Sequence, residues 1–350
     1  MKKLAGILLL AWIPVIGFSQ GCVDVGDDEE GAKIIGFIQP EYKLTLDDVN
    51  SNTFQFERAR LGVTGNIPYD FKYYFMAEFS PIFSGDPQAP GNPFLLDAFV
   101  SYNRYLWAQG ALGQFKSPVG LEFLTPCHKL HTIYRSKFVI NLGSPLRDLG
   151  FQVYGGNDTT LIKYQVAIMN GSGINFIDQN SAKDYLGRLL FQPFKGKLMV
   201  GGNVRFGTPP PEEGSGVDED GERTRYGLEA RFHTQKFNIQ AEYMYGKDVG
   251  SYITGGGCGG GGEIVTGEIE RSGWYVMAYY MTDWRLEPVV KVEQYNRDMN
   301  VTDAVDWITT IGISYFFNDW TRLQINYMYK AELDEEIDND CLAIQIQASF

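Results

Sequence analysis

Cys127, His128 and His131 lie within five positions of one another, a spacing that could hold a transition metal. Ligand count argues against it, because the chain has only three His and four Cys and no second ligand pair lies nearby. A loop role for these histidines, or a mild anion contact at low pH, fits better, and no metal or other cofactor is expected. Hydrolysis needs a nucleophile, a base and an orienting group brought together, and no such set can be assembled, so the chain does not read as an enzyme. Gly255–Gly262 (GGGCGGGG) has no strand-to-helix context for cradling phosphate and reads as a loop tip. What remains is a long series of Arg and Lys, side chains that pair with anions.

Those cations recur at strand spacing. In Lys33–Leu46 one parity is Ile34, Gly36, Ile38, Pro40, Tyr42, Leu44 and Leu46, and the other carries Gln39, Glu41, Lys43 and Thr45. The same alternation returns at 71–80, 225–232, 321–330 and 342–350. About sixteen segments of about ten residues follow, each long enough to cross a bilayer at a tilt. Short turns are expected near 66–69, 103–105, 155–160, 193–196, 233–236, 282–284 and 318–320. Longer loops are expected near 47–52, 81–93, 117–146, 171–183, 207–224, 247–271, 297–304 and 331–339. This asymmetry predicts an all-β, transmembrane up-and-down antiparallel barrel with short periplasmic turns and long external loops. A secreted sandwich also alternates, but it has little use for aromatics at strand ends. Tyr73, Tyr102, Trp107, Tyr154, Tyr243, Tyr245, Trp274, Trp284, Trp307 and Trp320 are candidates for interfacial girdles, and Phe350 closes an alternating strand.

Composition agrees. The 350 residues are 44% hydrophobic and 14% aromatic, too rich for a disordered chain. No apolar run near twenty residues follows the N-terminus, which excludes helical spans but not strands. Lys2 and Lys3, the apolar stretch Leu4–Phe18 and the small-residue zone after it read as an export signal over 1–20. An acidic segment over 21–32 then precedes a barrel over 33–350. Cys22 leaves lipidation open, although Ser19 sits where a lipobox wants an aliphatic residue. The net charge of -13 argues against nucleic acid as a partner.

If the apolar parity faces lipid, the lumen receives Lys43, Arg58, Arg60, Lys72, Lys116, Lys163, Arg188, Arg205, Arg225, Arg231, Lys291, Arg322 and Lys330. Against them stand Glu41, Glu78, Asp97, Asp148, Glu229, Glu242, Glu287 and Glu293. The acidity lies mainly in runs at 24–30, 212–222 and 332–340. Setting aside their seventeen carboxylates and the two signal lysines leaves 26 acids and 28 bases. A cation-rich lumen favours anions. Small anionic solutes and outer-membrane lipid are therefore the expected partners.

Several segments carry a resemblance. GQFKSPVGLEFLTP at Gly113–Pro126, FERARLGVTGNI at Phe56–Ile67, LLDAFVSY at Leu95–Tyr102, RDLGFQVYG at Arg147–Gly155, NGSGIN at 170–175 and the closing IQIQASF resemble, in order, the phosphate-selective porin O and P family. The resemblance implies a sixteen-stranded bacterial outer-membrane porin, usually trimeric, with the third long loop folded into the pore. Phosphate choice does not transfer with it automatically, and a porin specific for phosphate or another oxyanion stays open as an alternative. The family's basic constriction maps best onto Arg58, Arg60 and Lys116, with Lys129, Arg135 and Lys137 as further loop candidates. Reversing Arg58 and Arg60 to Glu is expected to reduce anion selectivity with the barrel still assembled. The loop over 117–146 carries Leu121, Phe123, Leu124, Ile133, Phe138, Val139 and Ile140, too apolar for an external loop in water, so folding inside the wall is expected. A plugged barrel serving structure or surface attachment is the competing outcome. Cys127 and Cys258 fall in two predicted external loops, leaving a disulfide open.

Overall fold

In the computed structural model the alternating segments close into one sheet. The structure describes residues 31–46, 51–83, 91–211, 215–216, 218–254, 263–302, 304–331 and 339–350, side chains of 251–265 excepted. The predicted signal segment, Cys22 and Cys258 lie outside the described residues. The strands are β1 (Gly31–Leu46), β2 (Ser51–Ile67), β3 (Phe71–Glu78), β4 (Phe94–Tyr105), β5 (Ala108–Lys116), β6 (Arg147–Gly155), β7 (Ile162–Met169) and β8 (Asp184–Phe191). They continue as β9 (Leu198–Gly207), β10 (Glu222–His233), β11 (Phe237–Thr254), β12 (Glu263–Tyr280), β13 (Leu286–Asn296), β14 (Val305–Phe316), β15 (Thr321–Ala331) and β16 (Asp340–Ser349). Each pairs antiparallel with its sequence neighbours, and β1 pairs with β16 to close the barrel. Closure removes both sheet edges, the condition for a sheet in hydrocarbon.

Apolar side chains cover the outside. Leu112, Val166, Leu189, Leu228 and Ile311 are all more than half exposed to the surroundings. Tyr69, Trp107 and Trp284 stand at the short-turn end, while Trp274 packs edge-on against Trp307 at 5.7 Å toward the other. Tyr154 departs from the expected girdle: it is buried on the lumen side, where its hydroxyl accepts from Asn103 Nδ2 at 2.9 Å. At the seam, Phe350 and Gly36 exchange backbone hydrogen bonds at 2.9 Å in both directions.

Two features differ from the sequence reading. The connection expected over 247–271 is mostly strand, because β11 and β12 run 18 residues each. At about 3.4 Å per residue they extend well past the hydrocarbon layer. A bulge also interrupts β1 and β2, where Gln39 faces Arg58 and Pro40 faces Phe56. Glu57 is the extra residue there, and it forms an ion pair with Arg58 at 2.9 Å.

The segment between β5 and β6 holds two short helices, α1 (Leu121–Leu124) and α2 (Lys137–Gly143). It turns inward. Phe138 and Val139 are fully buried among Met244, Tyr275 and Met277, all lumen-facing wall residues. Gly273 on β12 makes the seat for Phe138, since any Cβ there would collide with the Phe138 ring.

Candidate functional site

The lumen and the loop that crosses it form the candidate site. The loop is bound around most of the wall. Glu242 on β11 accepts the backbone N–H of Leu121 at 3.1 Å and of Glu122 at 2.9 Å. Lys291 on β13 donates to Glu122 Oε1 at 3.1 Å and to the Tyr134 carbonyl at 3.1 Å, and pairs with Glu293 at 3.3 Å. The other Glu122 oxygen accepts the Ser136 N–H at 2.8 Å. Asn326 on β15 accepts the Ile133 N–H at 2.7 Å, and the Tyr134 hydroxyl donates to Glu41 on β1 at 2.7 Å. These contacts satisfy backbone groups that a loop inside a barrel would otherwise leave without partners.

The predicted lumen cations face inward, but most already hold partners. Arg58 donates to Gln39 at 2.9 Å, and Arg60 pairs with Glu78 at 2.6 Å. Lys116 donates to the Phe123 carbonyl at 3.1 Å and lies over its ring. Arg188 grips Glu229 in a two-pronged pair at 2.7 and 2.5 Å. Arg205 pairs with Asp184 and donates to the carbonyls of Gly143 and Pro145 at 3.3 and 3.0 Å. Arg225 pairs with Asp248 at 2.8 Å and donates to the carbonyls of Leu142 and Ser144. Arg205 and Arg225 thus hold the end of α2 against the wall. Arg322 donates to the Leu130 carbonyl at 2.8 Å and to Gln347 at 3.0 Å. Lys72 and Arg231 line the open part of the lumen. Of the loop candidates, Arg135 bonds three loop carbonyls, from Glu122, Phe123 and Thr125, and so folds the loop itself. Lys137 is half exposed and pairs with Asp306 at 3.3 Å.

Sequence reasoning missed Asp184, Asp248, Arg147, Arg223 and Arg271. Arg147 makes a two-pronged pair with Asp97 at 3.0 and 3.2 Å. Arg223 reaches Asp184 at 2.7 Å, and Arg271 reaches Asp248 at 3.2 Å. Asp248 and Arg271 fell inside the 247–271 connection, and Asp184 borders another. The strand extension was the missing signal, since all four of Asp184, Arg223, Asp248 and Arg271 fall within the strands as folded.

Cys127 is a free thiol buried in the loop, and Arg60 Nη1 and Arg135 Nη1 approach its sulfur at 3.0 and 3.3 Å. Burial opposes its ionisation, but the surrounding guanidiniums of Arg135, Arg60 and Arg58 outweigh it and hold the thiol well below its ordinary value. Cys341 is also a free, buried thiol. Among the described residues no group of three or more His, Cys, Asp or Glu is placed to hold a metal ion.

Burial pushes the His128 imidazole down to about 4, and Lys129 beside it acts in the same direction. A released loop would titrate near 6.5. The docked loop therefore binds fewer protons, so its docking is fully favourable above pH 6.5 and weakens as pH falls toward 4. Single-channel noise is expected to rise across that window, and His128→Gln should flatten the pH profile. An identical profile in the variant would assign the effect to another group.

Below the loop a cavity of about 970 Å³ reaches the short-turn end, lined there by Leu106, Asn157, His233 and Met281. Its upper face is the loop itself, from Leu121 to His131. Seven basic side chains (Lys72, Lys116, Lys129, Lys163, Arg188, Arg231 and Arg322) and four acidic ones (Asp97, Asp158, Glu287 and Asp319) line it. The described strands thus form a closed sixteen-stranded barrel with an inward loop and a cation-rich cavity beneath it.

The family profile described as phosphate-selective porin O and P matches residues 38–209 and 211–350. The chain belongs to the phosphate-selective porin O and P family. It is therefore an outer-membrane porin, and its barrel places it in the bacterial outer membrane. A comparison with curated proteins found no match. Among solved structures, the anion-selective porin from Comamonas acidovorans is similar at 12% identity and TM-score 0.66, covering 92% of this chain and 100% of that one. OmpT of Vibrio cholerae in its trimer form is similar at 12% identity and TM-score 0.65, with the same coverage. Salmonella typhi OmpF, solved with daunomycin, gives 14% identity and TM-score 0.68, covering 91% and 97%. These likenesses are of fold. The porin family and this architecture describe a diffusion channel.

Proposed function

We propose that this porin is an anion-preferring diffusion channel for small solutes, assembled as a trimer. The observation that carries the reading is the charge of the vestibule beneath the loop. Two of its four carboxylates are already paired with bases, Asp97 with Arg147 and Asp158 with Lys163 at 2.9 Å, while Glu287 shares a hydrogen bond of 3.0 Å with His131. Among the described residues, Arg231 forms no ion pair with a carboxylate, and Arg322 hydrogen-bonds the Leu130 carbonyl and the Gln347 amide. The balance is positive, and a low-dielectric wall concentrates the resulting field. Rings of Arg and Lys favour anions by replacing part of their lost hydration. The buried arginines higher in the lumen are neutralised by carboxylates, which supports a general anion preference over a site built for phosphate alone. Trimer assembly is supported by the family and by a structure of like fold solved in trimer form.

The test is the reversal potential of the purified full-length protein in a planar bilayer under a KCl gradient, repeated with phosphate as competitor. The expected sign is that of chloride permeation, with phosphate reducing the current. A potential of the cation sign would overturn the reading. The dense binding of the loop around the wall supports a second reading, a plugged lumen with a structural role, and absence of current steps would select it.

A further inference from the structure

We propose that the vestibule holds organic anions with an apolar body, the charged head at Arg231 and the body against Leu121, Leu124 and Met199, in preference to small anions of equal charge. The inference rests on the anion-preferring reading above and adds the kind of anion.

Arg231 is set apart from the other lumen arginines. Arg58, Arg60, Arg147, Arg188, Arg205, Arg223, Arg225 and Arg271 each pair with a carboxylate, and Arg322 bonds Leu130 and Gln347. Among the described residues, the Arg231 guanidinium has no such partner, and its Nε is buried without an acceptor. Glu229, two residues away on the same face of β10, is held by Arg188. A guanidinium with a buried Nε that lacks an acceptor, and with its other nitrogens open to the cavity it lines, is poised to receive a carboxylate or a similar head.

The neighbours of Arg231 supply the second half of the site. Register places Met199 of β9 directly opposite it. Leu190 of β8 lies opposite Gly201, which has no side chain, so Leu190 and Met199 meet on the lumen face. Leu121 of α1 packs on both, and Leu124, one turn along, stays only partly buried and lines the same cavity. Apolar groups at lumen positions forgo the hydrogen bonds that water there would offer. They gain when a ligand with an apolar body displaces that water. Charge and apolar surface thus lie side by side, an arrangement that discriminates between anions by body and not by charge.

The experiment uses the full-length protein in planar bilayers carrying chloride current, with benzoate or acetate added on the short-turn side. The two probes share a carboxylate and differ in the ring. Benzoate is expected to block at about ten-fold lower concentration than acetate, as partial burial of a ring implies. Arg231→Gln should raise the half-blocking concentration of benzoate several-fold, and Leu124→Asn should bring benzoate toward acetate. Equal half-blocking concentrations in the unmodified protein would overturn the proposal, whatever the fate of the variants. So would an unchanged benzoate block in assembled Arg231→Gln. Cation preference with benzoate block intact would remove the general anion reading and leave this site standing. Anion preference without discrimination between the probes would do the reverse.

Discussion

Lys291→Met is expected to destabilise the folded barrel by about 3 to 5 kcal/mol, the cost of stripping one partner from a buried ion network. Lys291 is 2% exposed and sits between Glu122 and Glu293, both also buried. Without the ammonium, two carboxylates remain in a site water cannot fully reach. Glu122 also holds the Ser136 N–H, so its loss of charge balance loosens the loop just ahead of α2. Denaturant unfolding of the refolded protein measures the loss directly. A double variant, Lys291→Met with Glu122→Gln, should recover part of it, because the unpaired charge and not the missing stem is the main cost. If the double variant is as unstable as the sum of its singles, the network is not coupled as described.

Arg60→Glu is expected to prevent assembly rather than tune selectivity. Arg60 joins three elements: Glu78 of β3 at 2.6 Å, the Cys127 sulfur of the loop at 3.0 Å, and the ring of Phe37 on β1 at 5.5 Å. A carboxylate in its place would face Glu78 beside the Cys127 sulfur, with the guanidinium that now separates them gone. Like charges in such a site cost several kcal/mol, and each must either protonate or find water. This revises the expectation from sequence that reversing Arg58 and Arg60 would leave an assembled barrel. The folded fraction on unheated gels reports the outcome, and Arg60→Lys should restore part of the assembly by returning the charge without the fork. Arg231→Glu is the contrasting case. It should assemble, because among the described residues Arg231 forms no ion pair with a carboxylate, and should move the reversal potential toward cations. Full assembly of Arg60→Glu with altered selectivity would return Arg60 to the role of a solute contact.

The barrel was legible in the sequence because its constraint is local. A strand that faces hydrocarbon on one side and water on the other must alternate, and Gln39, Glu41, Arg188 and Arg231 could be assigned to the lumen from parity alone. The inserted loop was legible for the same reason, since a segment carrying Phe123, Phe138 and Val139 has no stable place in water. What escaped were pairings across the wall. Asp184 opens β8 and Asp248 lies in the part of β11 that the sequence reads as a connection, so nothing nearby marked them as the counterions of Arg205 and Arg225. Glu57 entered no sequence expectation; the bulge beside Pro40 adds it to β2, where it meets Arg58.

The order of residues determined the sixteen crossings, the inward parity of the cations and the apolar loop that must leave the water. Tertiary structure alone decided which cations are held in ion pairs, because those pairs form between elements tens or hundreds of residues apart. Parity can tell where a side chain points, but closure of the barrel settles what stands opposite it. Arg205 and Arg225 hold the loop, while Arg231, alike in type and spacing, faces the open vestibule and forms no ion pair among the described residues.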